Sequence, residues 1–175
     1  MSAAQYINKV DHICLAVRDA TKACELFIDL MGGSFVGGGD NPRLGARAIQ
    51  IKLGKIKVEL LQPTDPSSLL AKFIERHGEG FQHLTIYVDD VPATDAALRE
   101  AGFGTVDMST EHDTWHETFT RPSTTFGALI QLSTPSDPWP DEIPGITLQD
   151  VLEGRISVMD NIMQWKDTGE VIPVR

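Results

Sequence analysis

Two histidines, a carboxylate and an amide recur in this chain at matched spacing. His12 and Glu59 lie 47 residues apart, His83 and Gln131 lie 48 apart, and the second pair follows the first at offsets of 71 and 72 residues. Imidazole nitrogens with carboxylate and amide oxygens form a donor set for a divalent cation, and a module that supplies one histidine and one such oxygen donor per copy can converge four ligands on one point. A cation held this way polarises an oxygen that binds to it. Other residues share strand positions with these candidates: Cys14, Thr85, Tyr87 and Ser133 can contact a substrate there.

The elements that must position these groups also occur twice. His12-Ile13-Cys14-Leu15-Ala16-Val17 recurs as His83-Leu84-Thr85-Ile86-Tyr87-Val88, and Val58-Glu59-Leu60-Leu61-Gln62-Pro63 recurs as Ile130-Gln131-Leu132-Ser133-Thr134-Pro135. Apolar residues alternate with polar or small ones in the histidine segments, the period of a two-faced strand, so His12, Cys14 and Ala16 face one way, as do His83, Thr85 and Tyr87. A helix follows each strand. Asp19 or Thr21 can cap the first, which Gly32-Gly33 stops, and the second runs from about Pro92 to Ala101 before Gly102. Three strands then complete each copy: 34–37, 47–53 and 56–61 in the first, 105–109, 115–121 and 128–133 in the second. Residues 37–42 and 121–127, rich in Gly, Pro, Ser and Thr, are expected to be flexible loops. Leu69, Leu70, Phe73 and Ile74 predict a connecting helix over 68–77. Past Pro135 the repeat ends. Thr147 and Asp150 form a capping-box pattern opening a helix whose Leu148, Val151, Leu152, Met159, Ile162 and Met163 are expected to share an apolar face, packed on the core or on a second subunit. The chain thus divides into a first module (1–66), a connecting helix (67–80), a second module (81–135) and a C-terminal extension (136–175).

Composition narrows the class. With 175 residues, 41% of them hydrophobic, the chain can bury one good core or two small cooperating ones. A net charge of −10 with scattered Lys and Arg disfavours nucleic acid. Nothing in the sequence approaches the roughly 20-residue apolar run of a membrane span. The first residues lack a signal-peptide pattern, and the two cysteines, Cys14 and Cys24, do not form a disulfide framework, so a cytoplasmic protein is expected.

The ordered repeat, with its His-initiated strands and [Val/Ile]-[Glu/Gln]-Leu endings, resembles the vicinal oxygen chelate superfamily, which includes glyoxalase I, methylmalonyl-CoA epimerase, extradiol dioxygenases and antibiotic-sequestering proteins. The resemblance covers about residues 7 to 135. Val58-Glu59-Leu60-Leu61-Gln62-Pro63 and Gly78-Glu79-Gly80-Phe81-Gln82-His83 are most similar to the epimerases. It implies an α+β fold of two tandem β-α-β-β-β modules forming a cupped mixed sheet, here with a C-terminal helical extension. It also implies one divalent metal (Co, Ni, Zn, Mn or Fe) on His12, Glu59, His83 and Gln131, a carbonyl or thioester substrate such as a CoA ester, and a homodimer. In such relatives the cation stabilises an enolate while a carboxylate moves the proton. Here the sequence departs from the pattern. The epimerases use a glutamate where this chain has Gln131, and the strand over 46–53 carries no acid. The replacement proton carrier is expected at Glu117 or His116, only one of which can face the site, with Glu59 as a further candidate. The resulting expectation is a metal-dependent isomerase or lyase; the alternatives are an Fe(II) or Mn(II) dioxygenase and a metal-free binding protein.

Overall fold

The structure is a computed structural model that describes residues 2–174, and it separates into two compact units. The first comprises Met1–Ile13 with Gln82–Asp137; the second comprises Cys14–Phe81 with Pro138–Arg175. Strand β1 (Ile7–Ala16) contributes to both. The units therefore do not follow the sequence modules end to end: residues before Cys14 go with the second module, and the C-terminal extension goes with the first.

In the first unit, β5 (Gly80–Val88) leads into α3 (Val91–Glu100), followed by β6 (Thr105–His112), β7 (Trp115–Thr120) and β8 (Ile130–Pro135), in the spatial order β1-β5-β8-β7-β6. β5 and β8 are parallel, with Thr85 opposite Gln131; β7 runs antiparallel to β8, with Phe119 opposite Gln131 and Glu117 opposite Ser133. Asp90 caps α3 by accepting from the Ala93 N–H, and Pro92 sits in the first turn where no N–H is needed. Val88, Val91 and Leu132 are buried, with Ile86, Leu98 and Ile130 packed around them.

The second unit repeats the plan. After β1 come α1 (Ala20–Cys24), β2 (Ser34–Asn41), β3 (Ala46–Leu53) and β4 (Ile56–Pro63), in the order β2-β3-β4-β1. Each module thus places its fourth strand beside its first, as a duplicated module must. Asp19 caps α1 as expected. The helix then widens into a π-type segment, Glu25–Leu30, and Gly32, at φ +75°, ends it. The connecting helix α2 (Leu69–His77) is capped by Ser68, and its Leu70 and Ile74 pack with Cys14, Ala16, Ala46 and Leu61.

Two expectations are corrected here. The Gly37-Gly38-Gly39 run is not a loop but the middle of β2, and all three glycines are buried. Their lack of a side chain permits close approach: a Cβ on Gly37 would meet Ile143 Cδ1 at 2.7 Å, one on Gly38 would strike the Ala48 carbonyl oxygen, and one on Gly39 would lie 2.8 Å from Val158 Cγ2. Nor is the C-terminal extension one long helix. Thr147 and Asp150 do form the capping box, but α4 spans only Leu148–Leu152 before Gly154, at φ +71°, ends it. The apolar residues beyond form the hairpin β9 (Ile156–Met159) and β10 (Ile162–Trp165), with β11 (Val171–Ile172) beside β10. Asp160-Asn161, at φ +49° and +66°, make a two-residue turn whose twist suits a hairpin. The extension packs on the first module's sheet: Val36 accepts from the Ile143 N–H, Lys57 Nζ donates to the Trp139 carbonyl at 2.8 Å, and Asp40 receives Arg47 and Lys166.

Candidate functional site

Strand alternation aims the candidate residues as expected, and the polar face is the buried one. His12, Cys14 and Ala16 are buried while Ile13 and Leu15 are only half-buried; His83, Thr85 and Tyr87 are buried while Leu84 and Ile86 are half-buried. Within the first unit the imidazoles of His12 and His83 lie edge to face with ring centroids 5.8 Å apart. Each has its Nδ1 on the side chain that precedes it in sequence: His12 on Asp11 Oδ2 at 2.9 Å, and His83 on Gln82 Oε1. Asp11 is in turn held by Lys9 at 3.1 Å, and the Lys9 ammonium sits 5.1 Å from the centroid of the Tyr87 ring.

From His12 a chain of hydrogen bonds runs across three strands. The Nε2 of His12 is 2.8 Å from the Thr85 hydroxyl, which donates to Gln131 Oε1 at 2.7 Å. Gln131 Nε2 donates to Glu117 Oε2 at 2.7 Å, and the same carboxylate oxygen accepts from Trp115 Nε1 at 2.8 Å. Because an ionised carboxylate only accepts, the amide of Gln131 has one sensible orientation, nitrogen towards Glu117 and oxygen towards Thr85. Register explains the convergence: Thr85 and Gln131 are partners on β5 and β8, and Glu117 is one alternation from Phe119, the partner of Gln131 on β7.

Of the two expected proton carriers, Glu117 therefore faces the histidines and His116 does not. Trp115, Glu117 and Phe119 share one face, with the Phe119 ring 6.5 Å from His83 and Trp115 6.4 Å from Tyr87. His116 shares the other face with Thr118 and Thr120, where Thr120 joins Ile86, Thr94, Leu98 and Leu132 around an apolar cavity of about 220 Å³. His112 ends β6 and Asp113 lies in the turn after it.

Glu59 lies on β4 in the second unit, opposite Gln50 of β3. The Cys14 thiol, fully buried, is pushed well above the ordinary thiol range by burial and then by the neighbouring Glu59 carboxylate, to which it hydrogen-bonds. Cys14 otherwise packs among Ala16, Ala46, Leu61, Leu70 and Ile74, which is the surrounding of a small apolar residue. Thr85 has both its hydrogen-bonding directions engaged. Ser133 is fully buried, and its Oγ finds no hydrogen-bond partner among the described residues. Sequence reasoning missed Asp11, Gln82, Trp115 and Phe119. The signal for the first two was their place directly before each histidine; for the others it was the alternation that had already singled out Glu117.

Known proteins share the family pattern and the fold of this chain. A family model for the glyoxalase/bleomycin resistance protein/dioxygenase superfamily matches residues 11–119. An ethylmalonyl-CoA/methylmalonyl-CoA epimerase of Cereibacter sphaeroides is 32% identical over 97 residues, 55% of this chain and 72% of that protein. The mitochondrial methylmalonyl-CoA epimerase of Homo sapiens is 27% identical over 95 residues, about half the length of each. Among solved structures, methylmalonyl-CoA epimerase from Mycobacterium tuberculosis superposes with a TM-score of 0.68 at 29% identity, over 75% of this chain and 91% of that one. A variant of the Streptomyces coelicolor methylmalonyl-CoA epimerase in complex with 2-nitronate-propionyl-CoA gives 0.67 at 26% identity, over 75% and 99%. The shared architecture is mixed α+β, rich in strands and with few helices. The chain belongs to the glyoxalase/bleomycin resistance protein/dioxygenase superfamily.

Proposed function

We propose that this protein is a divalent-metal-dependent isomerase of the epimerase type, acting on a carbonyl or thioester substrate of the acyl-CoA class. The observation that carries the reading is the placement of Glu117: Gln131 and Trp115 hold one oxygen of its carboxylate, and Thr85 links that assembly to His12. Proton transfer needs a carboxylate fixed in position, and this one is fixed by two donors.

The residues fit a metal. Two imidazoles bound to one ion through Nε2 at about 2.0–2.1 Å place their centroids roughly 4.5–5.5 Å apart, and those of His12 and His83, at 5.8 Å, need only a small closing movement to reach that range. With Nδ1 engaged by the preceding side chain on each ring, an ion would be met through Nε2, and on His12 it would take the place now held by the Thr85 hydroxyl. His12, His83 and Glu59 are proposed as ligands, Glu59 by its place in the repeat. Gln131, whose amide is engaged at both ends, is assigned to holding Glu117. A bound divalent ion supplies Lewis-acid stabilisation of the oxyanion that forms as the neighbouring C–H loses its proton. Glu117 would take that proton from one face of the carbon; inversion needs a second, protonated carrier for the other face, and Glu59, once released from the ion and protonated, is the carboxylate proposed for it. Tyr87 and Ser133 are proposed as substrate contacts; both are buried, so contact requires the side chains over them to open.

Support for the CoA ester comes from the epimerase relatives, one of them solved with a CoA ester analogue. A second reading has its own support: 4-hydroxyphenylpyruvate dioxygenase of Pseudomonas aeruginosa is 37% identical over 75 residues, 42% of this chain but 20% of that protein. Two imidazoles and a carboxylate also suit non-haem iron. Incubation of the Co²⁺-loaded protein with methylmalonyl-CoA and ethylmalonyl-CoA in D₂O, followed by ¹H NMR, should show loss of the C2 proton signal, slowed about 10²–10⁴-fold in Glu117→Gln. No exchange in either thioester would reject the isomerase, and O₂ consumption by the Fe²⁺-loaded protein with an aromatic 2-oxo acid would install the dioxygenase in its place. The proposed homodimer would show as twice the chain mass in light scattering.

A further inference from the structure

We propose that Asp11 and Gln82 are paired positioning residues of the metal centre, each orienting the histidine that follows it, and that their difference in charge makes His12 the stronger donor. This rests on the metal reading above. Both copies of the module use the same device: the residue immediately before the strand histidine turns its side-chain oxygen back onto Nδ1, Asp11 Oδ2 onto His12 and Gln82 Oε1 onto His83. Successive strand residues point to opposite faces, so such a contact is not a by-product of the pleat, and its occurrence in both copies makes chance a poor explanation.

The chemistry is that of a ligand support. With an ion in the place of the Thr85 hydroxyl, an oxygen that accepts from Nδ1–H leaves the Nε2 lone pair for that ion, fixes the rotation of the ring, and strengthens Nε2 as a donor. Asp11 does this with a full negative charge and Gln82 with an amide dipole. The burial of Asp11 needs such an account. Its side chain is 1% exposed, and a carboxylate so enclosed is strongly unfavourable unless cationic or N–H groups meet it. Lys9 meets one oxygen and His12 the other. Were Asp11 merely structural, Lys9 would suffice; the second oxygen is committed to the imidazole.

The test is Co²⁺ binding, followed by visible absorption on titration of the purified full chain, with thermal unfolding of the same samples before Co²⁺ is added. Asp11→Ala should weaken Co²⁺ about 10–100-fold, and Asp11→Asn, which keeps an oxygen near Nδ1 but not the charge, should recover part of that loss. Gln82→Glu supplies the charge to the second copy and should bind Co²⁺ more tightly than the parent. That gain cannot arise from misfolding, so it stands even if Asp11→Ala fails to fold. Binding within twofold of the parent in Asp11→Asn and Gln82→Glu would overturn the proposal while leaving the metal site intact. A parent that binds neither Co²⁺ nor any other divalent ion would remove the metal reading and the proposal together.

Discussion

Replacing Gln131 with leucine separates two roles that its position allows. The side chain makes two hydrogen bonds of 2.7 Å, one received from Thr85 and one given to the Glu117 carboxylate. A bond to a charged group contributes about 1.5–3 kcal/mol and a neutral one about 1 kcal/mol. Leucine restores about 1 kcal/mol through burial of its extra apolar surface. The net expectation for Gln131→Leu is a loss of about 1.5–3 kcal/mol, which for a chain of this size lowers Tm by about 3–12 °C. Glu117 would keep Trp115 as its single donor and gain rotational freedom, so proton exchange on a thioester substrate should slow by one to two orders of magnitude, roughly what misplacement of a reacting group costs. Metal affinity is the discriminating readout. Calorimetry with Co²⁺ should give a Kd within about threefold of the parent, since His12, His83 and Glu59 are untouched; removal of a ligand would weaken it at least 10-fold, as even loss of a supporting contact does. A loss of that size with unchanged Tm would refute the positioning role and return Gln131 to the ligand set.

Other expectations concern the second unit. Asp40 is desolvated, which raises its pKa, but Arg47 and Lys166 outweigh that and hold its carboxyl below the usual range. Its contribution is therefore fully present above about pH 5 and lost as pH falls through the lowered value; Asp40→Asn should cost about 2 kcal/mol in urea unfolding at pH 7, with the deficit shrinking below about pH 4. A deficit that is constant down to pH 3 would show that the ion pair is not its source. Burial, followed by Asp29 and Asp19, raises the Cys24 thiol to about 11, and Cys14 is raised further from reach, so iodoacetamide at pH 8 should label neither in the folded protein and both in urea. Gly38→Ala should destabilise by more than about 2 kcal/mol, because its Cβ meets backbone that cannot rotate away; a neutral effect in urea unfolding would contradict the close approach of β2 and β3.

The duplicated module was legible because two periodicities reinforce each other: the period-two alternation fixed which way His12, His83 and Gln131 point, and the repeat fixed which strands must be neighbours. The same alternation decided between Glu117 and His116 once the register of β7 against β8 was known, a non-local quantity that no local pattern supplies. The glycines of β2 misled because a glycine run has the same local signature whether the backbone bends there or another chain segment presses on it; Ile143 and Val158, more than a hundred residues away, make the difference. The extension misled for a related reason. Met159, Ile162 and Met163 fit a helical face, but Gly154 and the positive-φ pair Asp160-Asn161 interrupt it, and the strand pairing they permit outweighs helical spacing. Asp11 and Gln82 were passed over because a side chain folding back on its neighbour leaves no periodicity, only the repeated place before each histidine.

The membership of β1 in both units has a consequence for synthesis. Residues 1–13 leave the ribosome early, yet their partners in the first unit, residues 82–137, follow only after the intervening stretch has been made. At about 5–20 residues per second the stretch 14–81 takes roughly 3–14 s, long compared with the microseconds to milliseconds in which helices and hairpins form. The nascent strand carrying His12 must spend that time without β5, exposing on that side an edge that can pair with other chains. A circular permutant that begins at residue 82 would make the partner residues 82–137 first, so that residues 1–13 meet them as they emerge, and should yield more soluble protein at high expression rates.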